Sequence, residues 1–541
     1  MSTLRWNRPW TRRQLLRGIG AASVGAVGAS ALAACASPSA APAAPATGAG
    51  AQPTSAPRVG GEIRIDATAD PISIDPLRFN GTDSLRVYRM TTNQLLKWRE
   101  DGSVVPDLAA ALPTVSPDLL TYTFRLKPGV KWHDGQPFDA ADVKFTYETI
   151  LKPDVPSIWK AALVFLDSVE APDAQTVVFR MKSRFNAMMA KFALVPIISS
   201  KIPYTPNDTY ARRNIGTGPF RFVEWQTGVQ IVLERNPDYF EQGKPYVQRL
   251  IIRTVKEDAA RVTNLINGQT QLVPDAPMTQ RDVMTGRGAI VDVAQNSTIR
   301  VALYPSLKAG DPTATVAMRE AIAWALDRQA IIDNVYNGAA VPAATYLSSG
   351  TQYFDEKLGT FFGNRPDLAK ARAALQRAGG PPVRELNYVI NNSPAANDIA
   401  TIVQANLRAI GVNVKIIADE GGAYTDKLFG GDFDLIMVIA GTGSSSGFAP
   451  DYVYNGYYSK SGNNFNKSTD AEMDRLLERA ISVPDSEAQA AWRAVQERDL
   501  QILGQIQVVT ARYVEGRSRT IQNYRASGLA TPYGLPDAWL S

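Results

Sequence analysis

Serine and histidine come first among the residues that could do chemistry. Gly443-Ser444-Ser445-Ser446-Gly447 matches the G-x-S-x-G pattern that presents a serine nucleophile on a sharp turn. A hydrolase built on that turn needs its histidine later in the chain, and the one histidine, His133, precedes it. The serines therefore read as a Ser/Gly loop. His133 stands in Trp132-His133-Asp134-Gly135 with no nucleophile motif beside it, and reads as part of a structural turn. Gly216-Thr217-Gly218 lacks the third glycine of a dinucleotide loop, and Pro219 follows where a helix should open. With one histidine and one cysteine in 541 residues, no His/Cys metal cluster can be assembled. Neither a metal nor another cofactor is expected, and the chain is read as a non-enzyme.

The one cysteine, Cys35, closes the run Leu32-Ala33-Ala34-Cys35, a lipobox at which a signal is cleaved and the thiol lipidated. Upstream, Arg12 and Arg13 with Leu15, Leu16 and Arg17 match a twin-arginine export signal. Gly18 to Ala34 is seventeen residues, mostly Gly and Ala. That is short of the roughly 20 strongly apolar residues a spanning helix needs. The mature chain is therefore expected to begin at Cys35 and to hang by its lipid on the extracytoplasmic face of a membrane. Ala36 to Pro57 has no charge and no aromatic or branched apolar residue, so it reads as a flexible tether.

Removing residues 1–34 also removes five arginines and no acid. Lys+Arg falls from 57 to 52, against 52 Asp+Glu, so the net charge of +5 belongs to the signal. A neutral body gives no support to nucleic-acid binding.

The body alternates strand and helix patterns. Gly61 to Ile65, Thr121 to Leu126 and Gln230 to Arg235 alternate polar and apolar residues, as half-buried strands do. Asp139, with Asp142 three residues on, predicts a capping box opening a helix with Val143, Tyr147 and Ile150 inward. One helix is expected over Val316 to Tyr336 and another over Asp367 to Ala378. Leu386–Ile390, Asp398–Ile410 and Val412–Ile417 read as strand, helix and strand, a parallel crossover whose strand-end loops favour ligands. Asp434 to Ile439 reads as a further strand, followed by a loop from Ala440 to Tyr458.

Several landmarks, in order, carry a family resemblance: Gly60-Gly61-Glu62-Ile63-Arg64-Ile65 with Ile74-Asp75-Pro76; Val105-Pro106-Asp107-Leu108-Ala109; Gly129 to Gly135 with Ala140 to Val143; Ile215 to Phe220; Glu234 to Tyr239; Arg319 to Ile332; and Asn406 to Val412. The chain resembles the family 5 extracellular solute-binding proteins, the peptide-, nickel- and oligosaccharide-binding components of ABC importers. The resemblance implies an α/β fold, a two-lobed type II periplasmic-binding-protein clamp with an extra subdomain inserted in lobe one. Residues 58–81, 214–298 and 514–541 would form lobe one, 82–213 the insert, and 299–513 lobe two. A small polar ligand would be captured between the lobes of a monomer and delivered to ABC permease subunits.

In many peptide-binding relatives, the loop matching Ala440–Tyr458 holds an aspartate for the peptide's α-ammonium. Here the matching position is Ser446, which cannot neutralise a buried ammonium. Asp451 could take that role only in a rearranged turn. The candidate ligand-binding residues are therefore Asn391, Asn392, Ser446, Asp451 and Tyr452, with the asparagines at a strand end that the resembling fold turns toward the cleft. A short peptide is the expected ligand and an oligosaccharide the alternative. A sensory receptor and a secreted hydrolase are further readings.

Overall fold

The computed structural model describes residues 57–541 apart from 79–80, 100–102, 207–209, 295–298, 350, 442–448 and 527–533. The signal, Cys35 and most of the tether thus lie outside the described residues. Within the body, the alternating run Glu62–Ala67 is the central strand of a seven-stranded sheet. It runs parallel to Arg249–Thr254 and to Leu272–Pro274. Gln230–Arg235 and Phe220–Gln226 extend one edge, while Val514–Arg517 and Ile290–Val293 close the other. Ile63, Ile65, Phe220, Leu233 and Leu250 fill the core beneath it.

A six-stranded sheet forms the second lobe, in the spatial order Ala340–Pro342, Ile506–Ala511, Ile299–Pro305, Leu435–Gly441, Leu386–Asn391, Val414–Asp419. The expected crossover is present, since Leu386–Asn391 and Val414–Asp419 pair in parallel around one connecting helix. That helix spans Pro394–Arg408 and so starts four residues before the expected Asp398. Ser393 caps it, and Pro394 stands at its first position, where a missing N–H costs nothing.

The single helix expected over Val316–Tyr336 is two helices, Val316–Ala325 and Arg328–Asn334. The break is made by partners that a periodicity count does not contain. The Asp327 carboxylate accepts from the Ala330 N–H at 2.9 Å, and the Asp327 N–H donates to Asn406 Oδ1 at 2.9 Å. Arg328, fully buried, donates to the carbonyls of Ala323, Ala343 and Gln507 at 2.9–3.1 Å. Residues Ala449–Tyr457, expected within a loop, form a further helix with Pro450 in its first turn.

A four-stranded antiparallel sheet, Thr114–Val115, Thr121–Arg125, Thr176–Met181 and Leu166–Asp173, makes the inserted subdomain. Phe124, Tyr147, Phe179 and Phe192 meet edge-on or tilted at 4.7–5.7 Å in its core. The same core continues into Leu477, Trp492 and Val495 on the helices Ala471–Ser482 and Asp485–Ile502. The molecule is thus a two-lobed α/β clamp with an insert. The chain leaves the seven-stranded sheet after Val293 and returns to it through a crossing of two residues, Arg512 and Tyr513, between Ala511 and Val514. Exit and return are tied together where the Ala294 N–H donates to the Tyr513 carbonyl at 2.9 Å.

Candidate functional site

A cavity of about 590 Å³ opens between the two large sheets. The seven-stranded side contributes Asp275, Ala276, Met278 and Val514, and the crossing itself contributes Arg512 and Tyr513. The six-stranded side adds Ile299, Tyr424, Met437, Ile439 and Ala511. Asn391, at the C-terminal end of its strand, lines it together with Ser393, Ala395 and Ala396 of the crossover helix start. The wall is mostly apolar with a few placed polar groups, which is the make-up of small-molecule sites.

One side of that wall is held by Arg86. It is 2% exposed and stands on the helix Thr82–Thr91. Its guanidinium donates to Asp83 at 2.6 Å, to the Tyr513 hydroxyl at 3.0 Å, and to Asp275. Burial by itself would make Arg86 a weaker base, but Asp275, Tyr513 and Asp83 together raise its pKa well above the ordinary value. One cation thereby fixes the helix Thr82–Thr91, the loop after Leu272–Pro274 and the crossing. Asp275 adopts φ 51°, left-handed backbone for a non-glycine residue, beside this pair.

Of the residues expected to bind ligand, the structure places Asn391 on the cavity wall. Asn392, its neighbour, is engaged locally: its amide donates to Glu420 at 2.7 Å and its oxygen accepts from Asn397 at 3.0 Å. Ser446 lies outside the described residues. Asp451 and Tyr452 stand in the first turn of Ala449–Tyr457, with their side chains outside the described part. The other tyrosines of that segment pack: Tyr457 is buried and donates to Asp499, while Tyr454 and Tyr458 stack at 4.6 Å. Asp275, Tyr336, Tyr424, Arg512 and Tyr513 were not among the expected residues. The one sequence signal for Arg512 is a lone charge directly after the uncharged strand Ile506–Ala511.

The two motifs discarded as chemistry have structural work together. A Cβ on Gly216 would come within 1.8 Å of the Thr91 carbonyl oxygen, and one on Gly218 within 2.4 Å of the Thr91 carbonyl carbon. These glycines let two backbones touch. His133 Nδ1 accepts from the Gly216 N–H at 3.2 Å, and Nε2 pairs with the Gly218 carbonyl at 3.0 Å, which requires a proton on Nε2. Burial pushes the imidazole pKa down to about 4, against the Gly218 bond that favours the cation. The unfolded chain takes the proton first, so this group costs stability as pH falls from about 6.5 to about 4. As the only histidine, it gives one pair of ring-nitrogen signals in nitrogen NMR, and their shifts report the protonation of this ring alone. The ring is expected to stay neutral from pH 8 to about 5. A midpoint near 6.5 would mean that the ring reaches water.

Comparison with known proteins agrees with this architecture. The profile of the bacterial extracellular solute-binding proteins, family 5 (middle), matches residues 103–465. A Brucella ovis protein described as a putative ABC transporter peptide-binding protein is 31% identical over 334 residues. That alignment covers 58% of this chain and 60% of the Brucella protein's own length. The probable D,D-dipeptide-binding periplasmic protein DdpA of Escherichia coli is 27% identical over 83% of this chain and 87% of its own. Among solved structures, the ABC transporter substrate-binding protein CtaP of Listeria monocytogenes superposes with a TM-score of 0.79. It is 26% identical, and the match covers 89% of this chain and all of that one.

Proposed function

This chain belongs to the bacterial extracellular solute-binding proteins of family 5, and from that membership we propose that it is the capture subunit of an ABC importer. The observation that carries the reading is the cavity between two sheets joined through the short crossing Arg512 and Tyr513. A clamp of that build can close over a ligand and change shape in proportion to occupancy. It binds without chemistry and hands its ligand to membrane permease subunits. Short peptides are the ligand class, supported by the peptide-binding descriptions of the Brucella and E. coli relatives. Lobe one is 58–81, 214–298 and 514–541, the insert 82–213, and lobe two 299–513, supported by the way the three sheets draw their strands from those ranges. Export through the twin-arginine signal and lipidation at Cys35 place the monomer on the outer face of a membrane, supported by the sequence of residues 12–35. No described helix is long and apolar enough to cross a membrane.

An oligosaccharide is the second reading, favoured by the neutral polar groups Asn391, Tyr336 and Tyr424 on the wall. A thermal-shift screen of the full chain against pooled di- to tetrapeptides and pooled oligosaccharides tests the choice. Ligand at about 100 times its dissociation constant adds roughly 2.7 kcal/mol. A rise in unfolding temperature with peptides is expected. A rise with sugars alone would overturn the peptide reading.

A further inference from the structure

Asp275 and Arg512 are the charged residues on the cavity wall, and they differ in one respect. Asp275 is already paired with Arg86. The Arg512 guanidinium has no hydrogen-bond or ion-pair partner among the described residues, although its backbone is fixed. Its N–H donates to the Ala339 carbonyl at 2.8 Å, Ala511 before it lies in the lobe-two core, and Tyr513 after it is pinned by Arg86. The side chain is half-buried at the one place where the chain steps between sheets in two residues. A cation on a largely apolar wall, without a protein partner, leaves an anion site to be filled.

The other polar groups of the wall narrow the choice. The Tyr424 hydroxyl donates to the Met437 carbonyl at 2.8 Å, the Tyr513 hydroxyl accepts from Arg86, and Ser393 caps its helix. The Asn391 amide and the Tyr336 hydroxyl stand uncommitted among the described residues. Guanidinium, carboxamide and phenol are all hydrogen-bond donors, and a carboxylate accepts from each. We propose that Arg512 is the carboxylate anchor of the cavity, so that the captured solute carries a free carboxylate, in a peptide its C-terminus. The planar fork of arginine suits that group in a two-bond geometry, which a lysine would not reproduce. The proposal rests on the cavity being the capture site and adds which end of the ligand is held.

Calorimetric titration of the full chain with trialanine, trialanine C-terminal amide, N-acetyl-trialanine, gluconate and maltotriose tests it. Trialanine and its N-acetyl form are expected to bind alike, and the amide about 30-fold more weakly, as loss of a charge-assisted pair implies. Arg512→Gln should bring trialanine down to the level of the amide with an unchanged unfolding midpoint, and Arg512→Lys should recover only part of the loss. Equal binding of acid and amide, or of the wild type and Arg512→Gln, overturns the anchor and leaves the peptide reading standing. Arg512-dependent binding of gluconate without peptide binding upholds the anchor and overturns the peptide reading. Binding of maltotriose alone overturns both. Failure of every carboxylate to bind at about 10 mM, a concentration that would detect millimolar affinity, overturns the anchor.

Discussion

Asp142→Ala is expected to destabilise the protein by about 3–5 kcal/mol, the usual cost of removing one partner from a buried charged network. The side chain is fully buried and accepts from four separate structural points. Oδ2 takes the Trp132 indole N–H and the Asp139 backbone N–H, each at 3.0 Å. Oδ1 takes the Ser200 N–H at 2.8 Å and the Ser200 hydroxyl at 2.6 Å. The Lys201 ammonium lies 2.9 Å from both oxygens, but it is about a third exposed and can turn to water, so it adds less. Truncation orphans the indole and both backbone donors at once, and each unsatisfied donor costs on the order of 1–3 kcal/mol. Asp142→Asn keeps an acceptor and should lose roughly half as much. Urea unfolding followed by tryptophan fluorescence measures both. A loss below about 1 kcal/mol for the alanine variant would show that water replaces the carboxylate.

The second large effect is on the pH dependence of stability. Asp499, on the helix Asp485–Ile502, is buried, and burial pushes its carboxyl up to about 7. The Tyr457 hydroxyl, the Tyr346 N–H at 3.1 Å and the nearby Arg300 pull the other way without reversing it. Arg300 is itself committed to Gln505 at 3.0 Å and to the Tyr304 hydroxyl at 2.8 Å, with its guanidinium 4.0 Å from the Tyr346 ring. Between about pH 4 and 7 the folded state holds a proton that the unfolded state has released. Stability therefore falls as pH rises through that window, by at most about 1.4 kcal/mol per pH unit and about 4 kcal/mol in all. Glu515, likewise pushed up to about 7 by burial, acts with the same sign, and His133 acts with the opposite one. Subtracting the profile of Asp499→Asn from that of the wild type cancels both. The variant is expected to be the more stable protein at pH 8 and close to the wild type at pH 5. Parallel profiles would show that Asp499 titrates alike in the two states.

Both effects bear on the clamp. Asp142 stabilises the insert, whose core runs on into the two long helices of lobe two. Asp499 joins one of those helices to Tyr457, at the end of the short helix that follows the strand Leu435–Gly441. The cavity between the lobes is thus set on elements whose mutual positions depend on a few buried polar contacts.

The sequence by itself determined what short-range physics encodes. Alternation marked Gly61–Ile65, Thr121–Leu126 and Gln230–Arg235 as strands, and strands form at Glu62–Ala67, Thr121–Arg125 and Gln230–Arg235, the first running two residues past its expected end. The pair Asp139 and Asp142 announced a capping box that is present, because a cap is a contact between residues three apart. The parallel crossover around Pro394–Arg408 was legible for the same reason. The break at Leu326 was not, since the Asn406 and Gln507 groups that hold it lie 79 and 179 residues away. Tyr457 was expected within a loop, whereas it ends a helix and is buried, with its hydroxyl donating to Asp499. The cavity wall shows the limit most clearly. Asn391 could be named from its place at a strand end, where the backbone direction already points outward. Asp275, Tyr336 and Arg512 share no local pattern. They meet because the crossing at Arg512 and Tyr513 brings separate lobes edge to edge, and pairing with Arg86 then removes one charge and leaves the other open.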